Sequence, residues 1–453
     1  MTIVPRLAAV LLLGPALALG QAAPPAPPAP PPSPAPSADA AAAPAPEAPA
    51  HRVLTLEEAV RTARAHQPQL RSARAATDAA LARADQARAP LLPQLTGSAG
   101  LGRTTDNFAG KPGGASWSTS GTFDARAVLS QTLLDLGQLA RWRAAGASAD
   151  AQRASERATE LDVVAGAQSA FFVARAAHAL VRVARETLDN QEAHLRQVEA
   201  FVQVGTRPAI DLAQARADRA TAQVQLVRAG NAYENARALL AQAIGLDWPA
   251  DIEPSDEAIP PVPGEDGPLA PLVAEASQAR PELAALEAQR RAGALSLDAA
   301  RAEWLPTLSA QTGVSDAGTR PDADGLNWSA TLNLGWNLLE GGGSLARARE
   351  ARANLAGVDA QESALRTQIT VDVDAARQGV QTARAASAAA DEALVNARER
   401  LRLAEGRYQA GAGSIIELGD AQVAATSAGA QVVQAEYDLA AARAKLLRAL
   451  GRG

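Results

Sequence analysis

The residues best placed to do chemistry are acids. Asp211, Glu417 and Asp420 stand in the first turns of two helical runs. Glu417 and Asp420 are three apart and so share a helix face. A local role accounts for part of this: Ser414-x-x-Glu417 is a capping box, and acids favour helix N-termini. It does not account for Asp420, one turn further in. The four histidines, His51, His66, His178 and His194, have no metal-ligand spacing and read as solvated helix positions. Asp372 and Asp374 lie two apart on a helix, so they point to different faces and make a poor metal pair. There is no G-x-S-x-G and no phosphate-cradling loop, and Gly341-Gly342-Gly343 reads as a strand-to-helix joint. No catalytic residue, metal ligand or cofactor is assigned, so the chain is not expected to be an enzyme.

The acids sit beside a motif that occurs twice. Val202-Gln203-Val204-Gly205-Thr206-Arg207-Pro208-Ala209-Ile210-Asp211-Leu212 returns as Tyr408-Gln409-Ala410-Gly411-Ala412-Gly413-Ser414-Ile415-Ile416-Glu417-Leu418. Gly205 and Gly411 stand 206 residues apart, as do Asp211 and Glu417. Gly takes the left-handed conformation that ends a helix, and Pro208 or Ser414 suits the start of the next. Each copy therefore reads as the tip of a long helical hairpin.

Composition narrows what those hairpins belong to. The chain has 453 residues, formal charge −6, 47% hydrophobic and 3% aromatic residues, and no cysteine. Much alanine with few aromatics suits thin, close-packed helices. Weak negative charge gives no reason to expect nucleic acid. Zero cysteine removes disulfides, thiolate sites and an N-terminal lipidated cysteine. No run reaches the ~18 apolar residues of a spanning helix, which leaves a β-barrel open.

Residues 1–23 read as a secretory signal, with Arg6 before the apolar run Leu7 to Leu19; a buried helix start is the other reading. Residues 24–50 form a Pro/Ala-rich, coreless linker. A first structural repeat spans 51–246, a Pro- and acid-rich connector 247–271, and a second repeat 272–453. Each repeat runs helix, β-hairpin, very long helix, tip, return helix. The first helix starts at the capping box Thr55 to Glu58, reaches about Ala89 and is open to a kink at Pro68. The strands alternate. Trp117, Phe123, Trp328, Leu332, Leu334 and Trp336 stand against Ser118, Thr122, Asn333 and Asn337, and the last strand runs to Leu338. The long helix from about Gly137 to Gln203 spans ~100 Å. The return helices carry alanine at sevens: Ala215, Ala222, Ala229, Ala236 and Ala243, then Ala421, Ala428, Ala435, Ala442 and Ala449. Period seven means coiled-coil packing at close backbone approach.

Four strands cannot close a barrel that needs about eight, so a barrel here is shared between chains. Trp328 and Trp336 are ~27 Å apart along a strand, suiting the two aromatic girdles of a lipid-facing band. A soluble sandwich with one wet face also fits the strands alone. A pore-less periplasmic coiled-coil adaptor or scaffold fits the helices alone.

Over about Leu54 to Gly451 the chain resembles the TolC family of outer-membrane efflux and secretion channels. The marks are the x-L-P-x-L segments (Leu92-Pro93-Gln94-Leu95 and Leu305-Pro306-Thr307-Leu308), the L-x-(D/E)-x-G strand ends (Leu133 to Gly137 and Leu338 to Gly342) and the two tips. The resemblance implies a mainly α fold with a small β part: a trimeric 12-stranded transmembrane β-barrel, four strands per chain, continuous with a periplasmic α-helical coiled-coil barrel. It implies a passive duct in the outer membrane, opened at its tip, with a periplasmic adaptor and an inner-membrane RND or ABC-type pump as partners. It places Asp211, Glu417 and Asp420 where the family has aspartates, those of the second repeat ringing the constriction, and Tyr408 on a tyrosine of the closing network. The family's basic partner on the second tip is Gly413 here, while Arg207 occupies the equivalent place on the first tip. Arg207 is therefore expected to pair across hairpins with one of the acids. Gly205 and Thr206, with Gly411, Ala412 and Gly413, are the expected adaptor contacts. Without cysteine the chain is not expected to be one of the lipid-anchored members, and the family's long C-terminal extension is not in this sequence.

Overall fold

The computed structural model describes residues 52–108, 116–318 and 325–452. The expected signal and linker, with His51, lie outside the described residues, as do the side chains of Trp117 and Ser118.

The chain opens with β1 (Arg52–Leu54), α1 (Leu56–His66) and α2 (Pro68–Arg88). Thr55 caps α1 by accepting from the Glu58 amide at 3.2 Å. The expected kink is a full break. Pro68 disfavours helical backbone at the residue before it, and Gln67 is extended at ψ 122°. The second repeat breaks at the same place, with Arg280 at ψ 119° between α5 (Leu269–Ala279) and α6 (Pro281–Ala302). Two strands had no sequence signal. β4 (Ile252–Pro254), in the connector, pairs in parallel with β1, and three-residue strands are too short to show a period.

The main sheet holds β2 (Gln94–Phe108), β3 (Ser116–Leu134), β5 (Thr307–Gly318) and β6 (Asn327–Gly335), all antiparallel, in the order β2-β3-β5-β6. Residues opposite each other share a face. The pairs Leu95↔Leu129, Leu101↔Phe123, Val314↔Trp328, Ala310↔Leu332 and Leu308↔Leu334 make one face apolar. The pairs Ser98↔Arg126, Ser309↔Asn333 and Gln311↔Thr331 make the other polar. The last strand is shorter than expected. It ends at Gly335, so Trp336 and Asn337 fall just beyond it. The Trp336 Nε1 donates to the Trp304 carbonyl at 3.0 Å, and the Asn337 amide donates to Glu340 at 2.8 Å.

The long helices are α3 (Leu136–Gln203) and α7 (Gly343–Gln409), with return helices α4 (Ala209–Ile244) and α8 (Ile415–Ala449). Asp135 caps α3 by accepting from the Gln138 amide at 2.8 Å. α3 packs against α2, α4, α6 and α8, and α7 against α5, α6 and α8. Seven of the ten seam alanines, Ala215, Ala222, Ala236, Ala421, Ala428, Ala435 and Ala449, are buried in the close packing, while Ala229, Ala243 and Ala442 are only half-buried. By composition α3 does hold one 18-residue window of mean hydropathy 1.2, long enough to cross a membrane. Its apolarity has a packing use, because Phe171 and Phe172 form the centre of a core with Leu240, Ile244 and Ile252. A second core joins Leu283, Ile369, Val373, Leu446 and Leu450. A third, at the tips, joins Val198, Tyr408, Leu418, Ala215 and Ala421.

Candidate functional site

Both tips are helix-ending turns. Gly205 and Gly411 take φ 77° and φ 74°, where a Cβ would be strained. The Thr206 hydroxyl closes the first turn by donating to the Phe201 carbonyl at 2.9 Å. In the second, the Gly413 amide donates to the Arg407 carbonyl at 3.0 Å. A Cβ on Gly413 would meet the Tyr408 amide nitrogen at 3.0 Å, so this position has little room for a side chain.

Arg207 crosses from the first tip to the second. Its Nη2 donates to the Tyr408 carbonyl at 2.8 Å, and its Cζ lies 4.3 Å from the Tyr408 ring centroid. The expected crossing is there, but not the expected partner: Arg207 forms no ion pair with an acid among the described residues. Guanidinium over an aromatic face is attracted by the ring quadrupole, and the carbonyl supplies the acceptor a carboxylate would have supplied. Glu417 instead pairs with Arg407 of its own hairpin at 3.1 Å. Both are solvated, so the pair is weak. The capping role belongs to Ser414, whose Oγ accepts from the Glu417 amide at 3.1 Å, while the Glu417 carboxylate is taken up by Arg407.

Tyr408 is 1% exposed, and its hydroxyl is enclosed close to the Asp211 carboxylate. Burial raises its pKa, and the nearby Asp211 carboxylate raises it further against the opposing Arg207. Asp211 is 7% exposed and so belongs to this buried cluster; Asp420 is exposed on α8. Of the five expected gate residues, Arg207, Tyr408 and Asp211 come together; Glu417 pairs with Arg407, and Asp420 lines a groove beside Asp211.

His194 completes the cluster and corrects the solvated reading. It is buried, with its ring centroid 5.5 Å from that of Tyr408 at an edge-on 63°. Burial lowers its pKa, partly offset by Asp218 and Asp211. The signal was present in the spacing: Gln191, His194 and Val198 fall at i, i+3 and i+7, on the face of the buried Val198. His178 is half-exposed, stacked on Tyr233 at 5.0 Å and 3.4 Å from Glu253, and His66 is exposed. Asp372 and Asp374 serve different cations, Arg280 at 3.0 Å and Arg377 at 3.1 Å.

The outer membrane efflux protein family matches this chain over residues 59–246 and 272–452. The pyoverdine export outer membrane protein OpmQ of Pseudomonas putida is 28% identical over 412 residues, covering 88% of this chain and 86% of that protein. The outer membrane protein TolC of Escherichia coli is 26% identical over 423 residues, covering 87% and 82%. The solved outer-membrane channel OprN superposes with TM-score 0.76 at 22% identity, covering 88% of this chain and 90% of that one. This chain belongs to the outer membrane efflux protein family and is an outer-membrane channel of the efflux and secretion type.

Proposed function

We propose that three copies of the chain close one passive duct, a 12-stranded barrel in the outer membrane continuous with a helical barrel across the periplasm. One observation carries this reading: the duplicated chain ends in open edges. Inside the chain, β3 of the first repeat pairs with β5 of the second, and α3 packs against α6 and α8. By the same repeat, β6 suits β2 of a neighbouring copy, and α7 suits the neighbour's α2 and α4. β2 and β6 are the two outer strands of the sheet. Exposed apolar side chains mark the helical edges: Val224, Val227 and Leu239 on α4, and Val371, Val395 and Leu403 on α7. A pore-less scaffold gives the sheet's apolar face nothing to cover it.

On this reading Phe123, Trp328, Leu332 and Leu334 face outer-membrane lipid, with Trp117 and Trp336 at its borders. Thr122 and Asn333 face the lumen. The two repeats interlock as one channel unit with no catalytic step. Arg207, Tyr408 and Asp211 tie the two hairpins of one chain in the closed state, and Glu417 and Asp420 line the constriction. Gly205, Thr206, Gly411, Ala412 and Gly413 form the periplasmic extremity that meets an adaptor, itself joined to an RND or ABC-type pump. Light scattering of the detergent-extracted protein tests the assembly. Three 46.5-kDa chains per particle, less any cleaved signal, are expected; a monomer or dimer overturns it.

A further inference from the structure

A groove of about 800 Å³ runs between α4 and α8 with α3 as its floor. Three carboxylates line it, Asp211, Asp218 and Asp420, and no Lys, Arg or His does. Asp218 accepts from the Gln214 amide at 2.9 Å, while Asp211 and Asp420 form no ion pair with any described residue. On the floor, Gln191 is 8% exposed. Its Nε2 donates to Gln422 Oε1 at 2.9 Å, and its own Oε1 is enclosed with no donor. A buried acceptor left without a donor is costly, and native chains leave few of them. The walls are apolar: Ile210, Ile416 and Val423 line the groove and are otherwise exposed.

We propose that this groove binds a small amphipathic organic cation, whose charge and N–H donors meet Asp218, Asp420 and Gln191 Oε1 while its apolar body lies on Ile210, Ile416 and Val423. The enclosed polar atom left without a partner, Gln191 Oε1, is an acceptor, and the charged side chains that line the groove are all acids, which selects a donor-bearing cation and repels an anion. The apolar walls select against a small hydrated metal ion. The volume lies within the ~300–1,000 Å³ typical of small-molecule sites. The groove is built by one chain and shares Asp211 and Asp420 with the proposed gate, so the site is read by ethidium binding and the channel separately by conductance.

The test is equilibrium dialysis of the full-length, detergent-extracted protein with ethidium, an aromatic cation carrying two amino groups. Anilinonaphthalene sulfonate, an apolar anion of similar size, is the control. Saturable binding of one ethidium per chain is expected, with much weaker binding of the anion. Asp218→Asn with Gln191→Met should weaken ethidium about tenfold or more, the loss of charge-assisted contacts. Because Gln191 is buried, Asp420→Asn on the exposed face is a second variant, expected to weaken ethidium in the same direction with folding untouched. Absent ethidium binding, undiminished affinity in both variants, or equal binding of the anion overturns the site. A protein that conducts in bilayers but binds no ethidium refutes this site and leaves the channel standing.

Discussion

Arg207→Ala should loosen the tip by a measurable amount. Among the described residues, Arg207 is the one side chain that reaches from the first hairpin onto Tyr408 of the second through both a hydrogen bond and a ring contact. A hydrogen bond from a charged donor is worth ~1.5–3 kcal/mol net. A guanidinium 4.3 Å from a ring centroid adds ~0.5–2 kcal/mol. The two share one side chain and are not additive, and partial solvation reduces both. A net loss of about 2 kcal/mol per chain shifts the opening equilibrium by about 30-fold. Open probability in planar bilayers is the readout, with the heat stability of the assembly as a control for folding. Arg207→Lys keeps the charge but loses the flat stacking surface and should fall between wild type and alanine. Unchanged open probability in Arg207→Ala would refute the clasp and leave Arg207 a surface residue.

His194 should make the tip acid-sensitive. Its folded-state pKa lies below the ordinary 6.5 because burial disfavours the charged ring. The unfolded chain therefore binds more protons just below pH 6.5, and stability is lost as pH falls through that window. Denaturant titrations from pH 7.5 to 5 should show this loss, and His194→Gln should reduce it; an identical slope in the variant excludes the histidine. Ala222→Leu and Ala428→Leu should each cost ~1–3 kcal/mol by over-packing a close helix contact. Equal denaturant midpoints would mean those alanines are merely good helix formers. Leu332→Arg on the apolar face of β6, midway between Trp328 and Trp336, should cost ~2–4 kcal/mol near the bilayer midplane, whereas Asn333→Arg should insert normally. Outer-membrane fractionation reads both, and the opposite pattern reverses the facing.

How far the sequence could be read depended on the range of each signal. Periodicity along one helix located α3 and α4 to within a residue of their ends, and the paired glycines located both tips, because a positive φ is a local demand. Alternation put Leu332 and Leu334 on one, apolar face of the sheet and Asn333 on the other for the same reason. It overran the end of β6, since Trp336 and Asn337 keep the alternation while their side chains bond to Trp304 and Glu340 outside the sheet. The clasp was only half legible. The repeat identified Arg207 and Tyr408, but a contact across 201 residues has no local period, so the partner came out as an acid instead of a carbonyl and a ring. His194 went unread because it flanks the heptad positions without occupying one.

Single-channel recording of the purified protein in planar bilayers tests the central claim most directly. Discrete conductance steps that prefer cations and are blocked by multivalent cations added on the tip side are expected if, as proposed, Glu417 and Asp420 from three chains crowd like charge into one constriction. The Glu417→Ala, Asp420→Ala double variant should keep conducting and lose both preference and block. A wild-type protein that inserts without conducting would contradict the channel itself, and unchanged selectivity and block in the double variant would contradict the acidic constriction.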